Sequence, residues 1–110
     1  MPRNRRHMHL AVFWLGTGNH LAGWRMDGAF DSNCSWPIAE AGVQIAERGK
    51  FDLFFLADGL VSAANDHPSM QTRLEPTTTV AALSFVARNI GFGCTVSTSF
   101  SDPFSVARVF

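Results

Sequence analysis

The sequence predicts an α/β fold in which strands of a parallel sheet alternate with helices, in the order β-α-β-α-β-α. Three observations carry this. Residues 8–15, 51–57 and 90–98 form apolar or β-prone runs of strand length rather than helix length. The first two are apolar on both faces, the pattern of strands buried on both sides. Between the runs lie segments of helical spacing that open on Pro37 and Pro76, with long strand-to-helix loops and short helix-to-strand links.

Residues 1–7 read as a tail, in which Arg3, Arg5 and Arg6 are a short basic cluster of the kind solvent usually covers. Residues 8–15 make the first strand, broken by Gly16-Thr17-Gly18-Asn19. A loop of roughly twenty residues follows, a length that compact domains keep for function. It carries His20, Trp24, Arg25 and Asp27. Trp36 and Pro37 open the first helix, with Ile38, Ala41 and Ile45 at core spacing and Glu40, Gln44, Glu47 and Arg48 toward solvent. Gly49 is placed to end it in the left-handed conformation.

Residues 51–57 make the second strand, which stops at Asp58-Gly59, and 58–75 form the second long loop. Pro76 and three threonines start the second helix, with Val80, Leu83 and Ala87 inward and Asn89 as its stop. Residues 90–98 make the third strand, where Gly91 and Gly93 allow close backbone approach. Asp102-Pro103 then reads as the cap and first position of a third helix.

At 110 residues there is room for one small domain. Three strands do not finish a sheet. A (β/α)8 TIM barrel needs roughly 250 residues, so the chain reads as an N-terminal βαβαβ(α) portion of one such domain. Nine basic and nine acidic residues cancel, which points away from nucleic acid. No apolar run has membrane length, and the basic start lacks a small-residue cleavage pattern. Cys34 and Cys94 lie far apart without metal spacing, as in a reduced, cytoplasmic protein.

In parallel α/β sheets ligands bind at the carboxyl ends of strands. Asp58 ends a buried strand there, so its carboxylate either caps the turn at Gly59 or meets a ligand. Thr95, Ser97 and Ser99 alternate and so share one face, a line of neutral donors and acceptors for a phosphate, a flavin edge or a polar substrate. The same residues also fit plain β-propensity and a polar loop entrance. His20, Trp24 and Arg25 combine an imidazole, an aromatic ring and a cation, suited to an anionic or planar ligand. Gly16 and Gly18 suggest a dinucleotide loop, but Leu21 stands where the third glycine belongs and no helix begins at once. His7 and His9 lie at the amino end of their strand, the face associated with stability, so no metal is expected there. Cys94 reads as a small buried hydrophobe.

Several segments together resemble one family. They are Leu15-Gly16-Thr17-Gly18-Asn19-His20 with Gly23-Trp24-Arg25, the stretch from Glu47 through Gly59, and Leu74-Glu75-Pro76-Thr77-Thr78. The run from Ile90 through Thr98 with Asp102-Pro103-Phe104 and Ala107-Arg108 joins them. They look like the nitrilotriacetate monooxygenase group of the bacterial luciferase-like flavin monooxygenases. The resemblance implies a TIM-barrel oxidoreductase that uses reduced FMN, delivered by a separate reductase, and O₂ to oxygenate a small organic substrate. It also implies a homo-oligomeric parent enzyme. Asp58, with Ala57, would contact the flavin or order its site, Thr95 and Ser97 would lie against the ring, His20 would act at the mouth, and Trp24 and Arg25 would line the substrate's entry. The chain departs from the family at 26–30 and 61–73, so substrate preference does not carry over. The implied portion is expected to be inactive alone. Two other readings stand beside it: a non-catalytic interaction or regulatory piece that uses exposed apolar strand edges, and a small Rossmann-like nucleotide binder built on Gly16 and Gly18.

Overall fold

The computed structural model describes residues 7–30, 32–60, 71 and 73–110. The basic cluster Arg3, Arg5 and Arg6 and most of the loop at 61–73 lie outside the described residues.

Three strands, β1 (Ala11–Trp14), β2 (Leu53–Leu56) and β3 (Gly91–Cys94), form a parallel sheet in the order β1-β2-β3. The register pairs Trp14 with Leu56 and Leu56 with Cys94, so all carboxyl tips stand at one end. Helix α1 (Trp36–Arg48) follows β1, α2 (Pro76–Leu83) follows β2, and α3 (Pro103–Val109) follows β3. The strands are shorter than the apolar runs that predict them. Beyond the Thr95 N–H, which donates to Leu56 at 3.0 Å, β2 has turned away at 57–59 and the last part of the run at 90–98 has no ladder to join.

The core lies on one face of the sheet. Phe54, Leu56, Ala39, Val43, Ala46, Leu83, Ala87 and Ile90 form it. Phe54 is fully buried, with the Trp14 ring centroid 5.3 Å away and the Phe92 ring edge-on at 6.5 Å. On the opposite face Phe13 stacks on Phe55 at 5.8 Å, and Phe13 remains half exposed. No described residue covers that face, so the expectation of strands buried on both sides holds for one side only. The two-sided apolar pattern shows what the strands are equipped to bury, and α1 and α2 supply one layer.

Four helix expectations are corrected. Ala39, Val43 and Ala46 are the buried stripe of α1, whereas Ala41 and Ile45 are exposed and Ile38 is half-buried. Small residues face the sheet because the helix lies close to it, and the larger stripe lines an apolar groove of about 690 Å³ beside β1, together with Phe30 and Phe51. Gly49 has φ −72°, and the left-handed residue is Lys50 at φ 61°. Glu47 is not simply a solvent-facing residue. Its carboxylate accepts the backbone N–H groups of Arg88, at 2.7 Å, and Asn89, which lowers its pKa and ties α1 to the turn before β3. Helix α2 ends at Leu83, not near Asn89, and Ala87 reaches the core from the turn that follows.

At the amino end, Asp52 accepts the Leu10 N–H at 2.9 Å and lies 3.3 Å from His9 Nδ1. Those contacts lower the Asp52 pKa and join β1 to β2 at the end opposite the tips. Among the described residues no three metal-binding side chains stand together.

Candidate functional site

The tips of β2 and β3 open into a hollow of about 320 Å³ whose lining includes Asp58, Glu75, Thr77, Thr95, Ser97 and Phe100. Residues on α3, Ser105, Val106 and Val109, close its far side. Asp58, Thr95 and Ser97, three of the residues singled out in the sequence, therefore share one wall. Ala57 does not line this hollow. It lines a smaller cavity between the tips of β1 and β2.

Thr95 and Ser97 reach the hollow from the segment that directly follows β3, together with Val96. Ser99 falls in the turn that follows and stays exposed, outside the lining, so the alternation of hydroxyls ends at Ser97. The Asp58 carboxylate accepts the Gly59 N–H at 2.8 Å. The capping contact is thus present while the side chain lines the hollow.

Glu75 was legible only as a loop residue, yet it organises this wall. As the N-cap of α2 it accepts the N–H of Thr77 at 3.0 Å and of Thr78 at 2.7 Å, and the Thr77 hydroxyl at 2.7 Å. Burial pushes its pKa up, but those donors outweigh it and hold the carboxyl at about 2. The signal that would have found it is Glu-Pro-Thr-Thr, an acceptor placed just before a proline-initiated first turn. With the folded pKa below the ordinary 4.5, its contribution is fully present above pH 4.5 and fades as pH falls toward about 2. Because Glu75 is exposed and screened, Glu75→Ala should cost about 1 kcal/mol, the usual value of a cap. Urea midpoints near neutrality should show that loss, and near pH 3 the gap between wild type and variant should shrink. A gap independent of pH contradicts the capping account.

Cys94 lies on the core face, where burial and then the Glu75 charge push its thiol pKa up, the environment of an unreactive packing residue. Asp102 caps α3 as expected, accepting the N–H of Phe104 at 3.0 Å and of Ser105 at 3.3 Å.

The first loop places its candidates elsewhere. His20 is exposed, and its Nδ1 accepts the Ala22 N–H at 3.2 Å. The Arg25 guanidinium lies 4.8 Å over the Trp24 ring. None of the three lines the hollow at β2 and β3. The glycine pair is a turn closed by Gly18 N–H on the Leu15 carbonyl at 2.9 Å, and α1 begins only at Trp36, so no phosphate-binding helix start follows it. Asn33 and Arg73, which nothing in the sequence marked, line the cavity that holds Ala57.

No family model matches the chain. It is similar along its full length to the N-acetyl-S-(2-succino)cysteine monooxygenase of Bacillus subtilis (strain 168), with 40% identity over 111 residues that make up 25% of that protein. Over 96% of its length it is similar to the dibenzothiophene-sulfone monooxygenase of Rhodococcus erythropolis (strain XP), at 36% identity and 26% of that protein. It is likewise similar to the nitrilotriacetate monooxygenase component A of Aminobacter aminovorans, at 33% identity and 26% of that protein. The chain thus spans about a quarter of the length of these curated relatives, all of which are monooxygenases.

Proposed function

We propose that the chain is part of a flavin-dependent, two-component monooxygenase of the nitrilotriacetate monooxygenase group, and that its strands belong to a TIM barrel. The observation that carries this is the meeting of Asp58, Thr95 and Ser97 at one hollow on parallel strand tips. The similarity to monooxygenases along the whole chain supports it. The uncovered sheet face, with Phe13 and Phe55, and the apolar groove beside β1 are where further βα units of a barrel would pack.

The hollow fits the uncharged part of FMN. At about 320 Å³ it is near the lower limit for ligand pockets, enough for part of the cofactor. Among the described residues its lining carries hydroxyls and carboxylates and no Lys, Arg or His, so a phosphate would find no cation among them. Reduced FMN, supplied by a reductase partner, would contribute the activation of O₂. Thr95 and Ser97 would hydrogen-bond polar edges of the cofactor, and Asp58 would accept from an N–H or hydroxyl. Leu60, Val96 and Phe100 would keep water from that side. His20, Trp24 and Arg25 would serve the mouth and the substrate. The relatives' names give small organic substrates of differing chemistry, and a small organic substrate is the class we propose here.

Replacing Asp58 by alanine should weaken FMN retention about tenfold, the value of one hydrogen bond to a charged group. Equilibrium dialysis reads this, and unchanged affinity removes Asp58 from the site. The 110-residue chain by itself is expected to hold FMN weakly and to turn over no substrate. Stoichiometric retention by that chain contradicts the partial-barrel reading. The apolar groove favours one other reading, an interaction module, which would run as a defined oligomer in gel filtration.

A further inference from the structure

Asn33 closes the first long loop back onto the tip of β1. Its Oδ1 accepts the Thr17 N–H at 3.0 Å and lies 3.4 Å from the Thr17 hydroxyl. A backbone N–H can only donate, so the amide end facing it is the oxygen and the other end is the NH₂. That Nδ2 is buried and has no partner among the described residues. Leaving a buried donor unmade is costly, and native structures rarely do it without a reason.

The residue lines the small cavity between the tips of β1 and β2, with Leu15, Gly16, Ala57 and Arg73 among its neighbours. About 20 Å³ of it admits a water-sized group, more than the roughly 10–15 Å³ that one water needs. Gly16 is part of the construction. A Cβ there would stand 3.1 Å from the Ser32 carbonyl oxygen and 3.2 Å from Asn33 Oδ1, so only glycine lets the loop seat this closely without shifting it. Arg73 reaches the cavity from the other side and lies across Gly59, where a Cβ would come within 3.2 Å of its Cζ. A guanidinium carries N–H donors and no acceptor. The orphaned amide donor of Asn33 therefore borders a cavity that also has Arg73 in its lining, and what that amide lacks is an acceptor oxygen.

We propose that this cavity is an acceptor-oxygen subsite, in which Asn33 Nδ2 donates to the oxygen and Arg73 supplies positive charge beside it. Two sources carry that chemistry: a fixed water, or one carboxylate oxygen of a small organic ligand. The subsite stands on its own geometry and does not depend on the flavin reading.

The test uses the ¹⁵N-labelled protein with formate, the smallest carboxylate, titrated against chloride at matched ionic strength. Asn33→Asp, which keeps an oxygen for Thr17 but removes the NH₂, assigns the side-chain signal. A saturable shift of that NH₂ pair with formate alone identifies the carboxylate source, and Arg73→Gln should then weaken formate about tenfold. A long-lived cross-peak from the NH₂ to water, without a formate shift, identifies the fixed water. If the NH₂ shows neither, the cavity is dry and the proposal is overturned. Should Asn33→Asp fail to fold, selective ¹⁵N-asparagine labelling assigns the same signal in the unaltered chain.

Discussion

Phe54→Ala is expected to cost about 3–5 kcal/mol, the range for removing a buried aromatic ring. Phe54 sits on the central strand, is fully buried, and packs between the Trp14 and Phe92 rings and the small residues of α1. A domain of this size has roughly 5–15 kcal/mol in total. One substitution would therefore remove about a fifth of it or more, read as a fall in the urea midpoint at unchanged slope. Phe13→Ala, on the uncovered face of the same sheet, is the informative companion. In the 110-residue chain alone it should cost about 1 kcal/mol or less, because the ring is already 51% exposed. A loss near that of Phe54→Ala in a longer chain would report a second layer over that face, as a barrel requires.

Gly42→Val should be the other large loss, about 2–3 kcal/mol. A Cβ at Gly42 would fall 2.4 Å from Cζ3 and 2.5 Å from Cη2 of Trp14, so the indole lies directly on the helix backbone. Replacing glycine inside a helix normally gains a few tenths to about 1 kcal/mol in propensity. The overlap with a rigid ring held against Phe54 reverses that sign. Pairing Gly42→Val with Trp14→Leu should recover part of the loss, and a strictly additive double variant would show that the two positions do not touch.

The order of elements was readable because composition and period act locally. The proline-initiated helices and the Asp102 cap fall where the sequence places them, as their signals involve neighbours in the chain. What was not readable depends on distance in sequence. Glu47 looks like a wet helix position and instead holds the N–H groups at 88 and 89. The choice between Ala39-Val43-Ala46 and Ile38-Ala41-Ile45 as the core stripe depends on how closely α1 approaches the sheet, which hydrophobicity alone does not encode.

The site follows the same division. Asp58, Thr95 and Ser97 could be proposed because a strand tip is a local feature and parallel strands put their tips together. Ser99 shares their alternation in the sequence but falls in the turn at 98–100, where a period of two no longer applies. Asn33 and Arg73 come from separate loops, and neither carries a motif, so only the fold brings them to one cavity.

Backbone amide shifts on addition of FMN are the sharpest single measurement. The account predicts that Gly59, Thr95 and Ser97 move together along one saturation curve, while Leu10 and Asp52 at the opposite end of the sheet stay still. Shifts confined to that amino end, or none at the tips of β2 and β3, would contradict it.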